Sequence, residues 1–284
     1  MATFQSVQSN VSDNIGTVTI TKPVSLAVGD LLLAGIMVDR DAGATASIAT
    51  PAGWTQEALV DVEGLSRNAL GVFSKLADAA DVAAANFTFT GTGSTASMSM
   101  VGHLARISNW GGKAGQTTGT SSASSTTLTL TGITPSPAIA SSLYVIFATR
   151  IQASPNVATV SSVAIATSNP TWTQQASGIG NGNTYDTVLA LYTATRPETT
   201  GTGNYTITYN NTTNSGSAAV ALILHTPISG SITPSDTAVN GYAFSPIGKT
   251  TVSAIVDNPT SHAMDMPAWT NPDKISTAWT NPDK

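Results

Sequence analysis

The chain contains no cysteine, which excludes disulfides, thiolate metal sites and cysteine nucleophiles together and leaves packing to hold the fold. Charge is scarce too: Asp, Glu, Lys and Arg make up 10% of the 284 residues, against roughly 25% in ordinary soluble domains. Eleven basic residues face sixteen acidic ones, too few cations to track a phosphate backbone, so nucleic-acid binding is not expected. No apolar run reaches the roughly 18 residues of a membrane span, and residues 1–6 carry neither a basic start nor an apolar core of a signal peptide. A soluble chain is expected, with no membrane contact and no Sec export. Catalytic signatures are missing as well: there is neither a Gly-x-Ser-x-Gly elbow nor a His-Glu-x-x-His helix.

What fills the space left by charge is Ser, Thr, Asn and Gly. A surface of that kind is polar but nearly uncharged, and it suits protein lattices and saccharide contacts. The organising feature is a repeat. Thr50-Pro51-Ala52-Gly53-Trp54-Thr55-Gln56 returns as Asn169-Pro170-Thr171-Trp172-Thr173-Gln174-Gln175, with the two tryptophans 118 residues apart. Gly71-Val72-Phe73-Ser74 likewise matches Ala190-Leu191-Tyr192-Thr193, and Asn86-Phe87-Thr88-Phe89-Thr90 matches Asn204-Tyr205-Thr206-Ile207-Thr208. Three anchors in one order read as a duplicated module, far longer than a solenoid unit, so each copy should hold its own core.

Within the first copy, residues 17–21 alternate with a period of two, and 31–38 form an apolar run opened by Gly29-Asp30, the pattern of a strand buried on both faces. Residues 55–62 and 68–76 read as a hairpin, and 87–90 and 98–107 as two closing strands. Residues 77–85 have helical composition but are too short to bury a helical face, so a loop with one helical turn is expected. Residues 1–16 read as an extended lead-in. Residues 111–126, rich in Gly, Ser and Thr, read as a flexible boundary and the exposed start of a strand. In the second copy 128–131, 143–148, 187–193, 205–209 and 218–224 supply the strands. Seven or eight strands per copy predict an all-β protein of two tandem, jelly-roll-like β-sandwiches: residues 1–112, with the lead-in, and 113–226.

From 227 to 284 Pro, Ser and Thr rise, and the segment reads as an extended C-terminal arm. It ends in Ala268-Trp269-Thr270-Asn271-Pro272-Asp273-Lys274 and Ala278-Trp279-Thr280-Asn281-Pro282-Asp283-Lys284, a repeat of ten residues. Exposed tryptophan is costly unless covered, so Trp269 and Trp279, each followed by a proline (Pro272, Pro282), are the candidate partner-docking residues.

The remaining chemistry has bland readings. Of three histidines, His103 and His225 fall near the ends of corresponding last strands and His262 in the arm; polar residues at sheet edges, not catalytic bases, are expected. Asp39 with Asp41 and Asp61 with Glu63 pair carboxylates at a spacing that suits glycoside hydrolysis or a calcium loop, but the second copy offers only Asp186 and Glu198, and a solvated loop is the favoured reading. Trp54 and Trp172 could stack on sugars, yet their matched places favour packing. No cofactor, metal or catalytic residue is expected.

The Val28-Gly29-Asp30 turn with its apolar strand, the Pro51-Ala52-Gly53-Trp54-Thr55 turn and Val72-Phe73-Ser74-Lys75-Leu76-Ala77-Asp78 together resemble a β-sandwich module of bacteriophage structural proteins and bacterial surface proteins. The Trp-Thr-Asn-Pro-Asp-Lys ends are similar to short repeats that close some tailed-phage virion proteins. The resemblance covers 17–107 well and 127–226 loosely, because Ser141-Ser142 replaces the Gly-Asp turn. It implies a non-enzymatic virion component of capsid or tail, made in the host cytoplasm, partnered by other virion proteins and by copies of itself. The alternative is a tail-fibre or adhesin-like host-attachment module that binds surface polysaccharide, with a glycan depolymerase a distant third.

Overall fold

Residues 31–38, apolar without interruption, run through the middle of a sheet that is covered on both faces. A computed structural model of the chain describes residues 1–13, 16–40, 47–62, 68–92, 98–121, 125–136, 141–153, 156, 158–181, 185–196, 201–210 and 215–227. All of them belong to one compact unit. The elements are β1 (Thr3–Ser12), β2 (Thr17–Thr21), β3 (Leu31–Arg40), β4 (Ser47–Ala49), β5 (Thr55–Val62), β6 (Asn68–Leu76), α1 (Ala79–Ala83), β7 (Asn86–Thr92), β8 (Met98–Ser108), β9 (Gly112–Ser121), β10 (Thr127–Leu130), β11 (Ser142–Ala153), β12 (Val160–Ile165), β13 (Thr173–Asn181), β14 (Tyr185–Arg196), β15 (Tyr205–Tyr209) and β16 (Ser215–His225). The protein is all-β and sandwich-like, and among the described residues every strand pair is antiparallel.

Four sheets form. In the first half a five-stranded sheet, β1-β8-β3-β6-β5, faces a three-stranded one, β2-β7-β4; in the second half β9-β16-β11-β14-β13 faces β10-β15-β12. Each strand of the second half takes the place of the strand eight positions earlier in the order. An eight-stranded jelly roll would put β5 beside β4 in the smaller sheet, whereas here β5 pairs with β6 on the larger one. Registers agree in detail. The β5–β6 pair slips by one residue at Glu57, between Gln56/Phe73 and Ala58/Val72, and the β13–β14 pair slips at Gln175, between Gln174/Tyr192 and Ala176/Leu191. A second bulge falls at Gln5 in β1 and at Ala114 in β9.

The layers stack three-, five-, five- and three-stranded. One outer core lies between the sheets of the first half, built on Ile20, Leu32, Ile36, Phe73, Phe89 and Leu104. The other outer core, built on Leu130, Tyr144, Ile146, Tyr192, Tyr205 and Ile207, fills the second half. An inner core joins the two large sheets through Leu31, Leu33, Val72, Val145, Phe147 and Leu222. Alternate residues of β3 thus point into different cores, which is why the strand tolerates no polar residue before Asp39. The contacts between large sheets are reciprocal: edge strand β5 lies on β9 and β16, and its counterpart β13 lies on β1 and β8. Such matched exchange is the hallmark of a two-fold interface, here approximate and within one chain.

Two segments differ from the sequence reading. Residues 112–121 are not a flexible connection but edge strand β9, bonded to β16 along its length. Its glycines mark close approach, since a Cβ on Gly115 or Gly119 would lie 2.3 and 2.5 Å from Ile133 and Leu130 side chains. The lead-in is likewise a strand, β1, paired with β8. Between β6 and β7 the expected single helical turn is α1, closed by a reciprocal cap in which Asp78 accepts from the Asp81 amide and Asp81 accepts from the Asp78 amide. The arm beyond Pro227 lies outside the described residues.

Candidate functional site

The docking candidates Trp269, Pro272, Trp279 and Pro282, with His262, lie outside the described residues. So do Asp41 and Glu63, the partners of Asp39 and Asp61 in the carboxylate pairs, and Glu198 of the second copy. Asp39 is buried near the end of β3, opposite Ser99, and is no solvated loop residue. Asp186 is buried as well, while Asp61 is exposed on β5.

His103 does not sit at a sheet edge. It lies in the middle of β8, opposite Gly35, fully buried between the large sheets, and its counterpart in β16 is Val220 rather than His225. Its Nε2 is 2.8 Å from the Leu189 carbonyl oxygen, which can only accept, so Nε2 carries the proton. Nδ1, 2.7 Å from Ser9 Oγ, must then accept from that hydroxyl. Burial pushes the imidazole down to about 4, so it stays neutral at physiological pH. With a carbonyl where a relay would need a carboxylate, His103 ties the two halves together and is unsuited to act as a base. His225 ends β16, and its Nδ1 is 2.6 Å from the Thr226 carbonyl.

Trp54 packs edge-on against Phe87 and Phe89, with centroids at 5.9 and 5.2 Å, at the rim of the first outer core. Trp172 packs at the rim of the second, its Nε1 donating to Asn169 Oδ1 at 3.2 Å. Both are half-buried packing residues at the starts of β5 and β13.

The reciprocal contacts between the sheets create two corresponding clefts, one closed and one open. In the closed one Glu57 accepts from Ser74 Oγ at 2.5 Å and from Lys113 Nζ, while Gln116 Nε2 donates to the Glu57 carbonyl at 2.7 Å, so β5 and β9 are clamped together. In the other cleft Gln175 takes the place of Glu57 and donates Nε2 to Thr193 Oγ1 at 2.7 Å. The counterparts of Lys113 and Gln116 there are Phe4 and Val7, which cannot complete a polar clamp. A cavity of about 740 Å³ remains, lined among others by Phe4, Pro170, Thr171, Gln175, Thr193 and Thr195.

The chain matches no family model, no curated protein and no solved structure. The open cleft was not legible in the sequence, because no local motif marks Phe4, and Gln175 stands out only as the end of the repeat around Trp172. The usable signal was a difference between corresponding positions, and pairing Phe4 with Lys113 requires knowing that β1 and β9 occupy the same place.

Proposed function

We propose that this protein is a non-enzymatic structural component of a bacteriophage particle, which decorates or joins the capsid or tail and is anchored by its C-terminal arm, residues 227–284. The four-layer all-β body supports this reading above all: its inner interface commits buried polar groups such as His103 to holding the halves together. A nearly uncharged surface and the resemblance of the Trp-Thr-Asn-Pro-Asp-Lys ends to virion proteins point the same way. Two tryptophans ten residues apart can reach separate pockets up to about 33–36 Å apart on a partner, and linking two modest sites raises their joint affinity. Truncation after Thr260 tests the anchor. The shortened chain is expected to keep its fold by circular dichroism yet fail to incorporate into particles; normal incorporation would refute anchoring by the arm.

The open cleft beside Phe4 favours a second reading, a host-attachment module that binds surface polysaccharide. Particle abundance separates the two readings, since decoration proteins are present in many copies and fibres in few.

A further inference from the structure

We propose that the cleft between the start of β1 and the β13–β14 edge binds a neutral oligosaccharide. This deepens the attachment reading and rests on it for the class of ligand. Three observations carry it. The first is asymmetry: the corresponding place in the other half is closed by Glu57, Ser74, Lys113 and Gln116, whereas Gln175, Thr193 and Phe4 line an opening of about 740 Å³. That volume lies within the range of small-molecule sites.

The second is the chemistry of the lining. Thr171, Thr193, Thr195 and Gln175 line the cleft together with an aromatic residue, Phe4, and a proline, Pro170. No carboxylate is among the described residues that line the cleft, and the one guanidinium among them, Arg196, is buried. A purely apolar ligand would strand the hydroxyls without partners. A pyranose chain matches both surfaces, with C–H faces for Phe4 and hydroxyls that donate and accept. Among the described lining residues there is no pair of carboxylates of the kind glycoside hydrolysis uses, so binding is the role assigned to the cleft.

The third is pre-organisation. Gln175 is the bulged residue of β13, and its Nε2 is already committed to Thr193 Oγ1, so the amide is held in place with its carbonyl left to accept from a sugar hydroxyl. Phe4 lines the cleft and is also packed against the inner core, which holds it in place.

The test uses the full-length protein with maltotriose, cellotriose and tri-N-acetylchitotriose as probes, read by saturation-transfer NMR and calorimetry. At least one trisaccharide is expected to bind in the millimolar range, with Phe4→Ala and Gln175→Ala each weakening it about tenfold or more. Glu57→Gln, at the closed counterpart, should leave binding unchanged. Binding indifferent to Phe4→Ala and Gln175→Ala overturns the cleft and leaves the attachment reading standing. Absence of trisaccharide binding also overturns the cleft, and retention on a surface coated with host polysaccharide then decides the attachment reading separately. Thermal unfolding of each variant separates lost binding from lost fold.

Discussion

Phe147 occupies the space over Gly35: a Cβ built on Gly35 would lie 2.1 Å from Phe147 Cδ1. The two residues hold corresponding places in β3 and β11. Gly35 pairs with Val72 and His103, and Phe147 pairs with their counterparts Leu191 and Val220. Corresponding residues meet only at the approximate two-fold axis. Two phenylalanines there would collide and two glycines would leave a void, so the halves fit because they differ.

Gly35→Ala should therefore destabilise the protein by about 1–3 kcal/mol through overpacking, and Phe147→Ala by roughly 3–5 kcal/mol through the cavity it opens. Exchanging the pair, Gly35→Phe with Phe147→Gly, restores one large and one small residue at the axis. Urea unfolding should show the double variant more stable than the sum of the two single changes implies.

His103 makes stability depend on acid. Its folded value of about 4 lies below the ordinary 6.5, so between these pH values the unfolded chain binds more protons than the folded one. The His103 contribution is complete above about pH 6.5 and is lost as pH falls toward 4, by roughly 3 kcal/mol over the window. Denaturation midpoints measured from pH 7 to pH 4 should fall, and His103→Gln should flatten that part of the profile while lowering stability at pH 7.

Trp54→Ala and Trp172→Ala should each cost toward the lower end of the roughly 3–5 kcal/mol seen for buried aromatics, because both are only half-buried. Trp54 should cost more, since it loses two aromatic contacts. Equal melting temperatures for wild type and either variant would contradict the packing role.

The clamp at Glu57 predicts a split between its partners. Lys113 is over a third exposed, so Lys113→Met should cost under about 1 kcal/mol, and less in high salt. Glu57→Ala removes acceptors from both Ser74 and Lys113 and should cost more, with a smaller dependence on salt.

The amino-acid pattern by itself determined the all-β class and most strand positions, because a period of two and turn residues such as Pro51 and Gly53 act locally. It also marked residues 31–38 as buried on both faces. Alternation says that a side chain is buried but not what buries it, so the sharing of Leu31 and Leu33 with Val145 and Phe147 in one inner core emerged only when the large sheets stacked. Composition misread β9, since a Gly-rich run encodes flexibility in isolation and close approach beside β16 and Ile133. His103 was likewise placed at an edge, because its partners Ser9 and Leu189 are distant in sequence. The tertiary structure alone decided which of two corresponding clefts closes. A clamp needs Glu57 and Lys113 to meet across the interface, and where the same fold brings Gln175 to Phe4 it leaves a cavity.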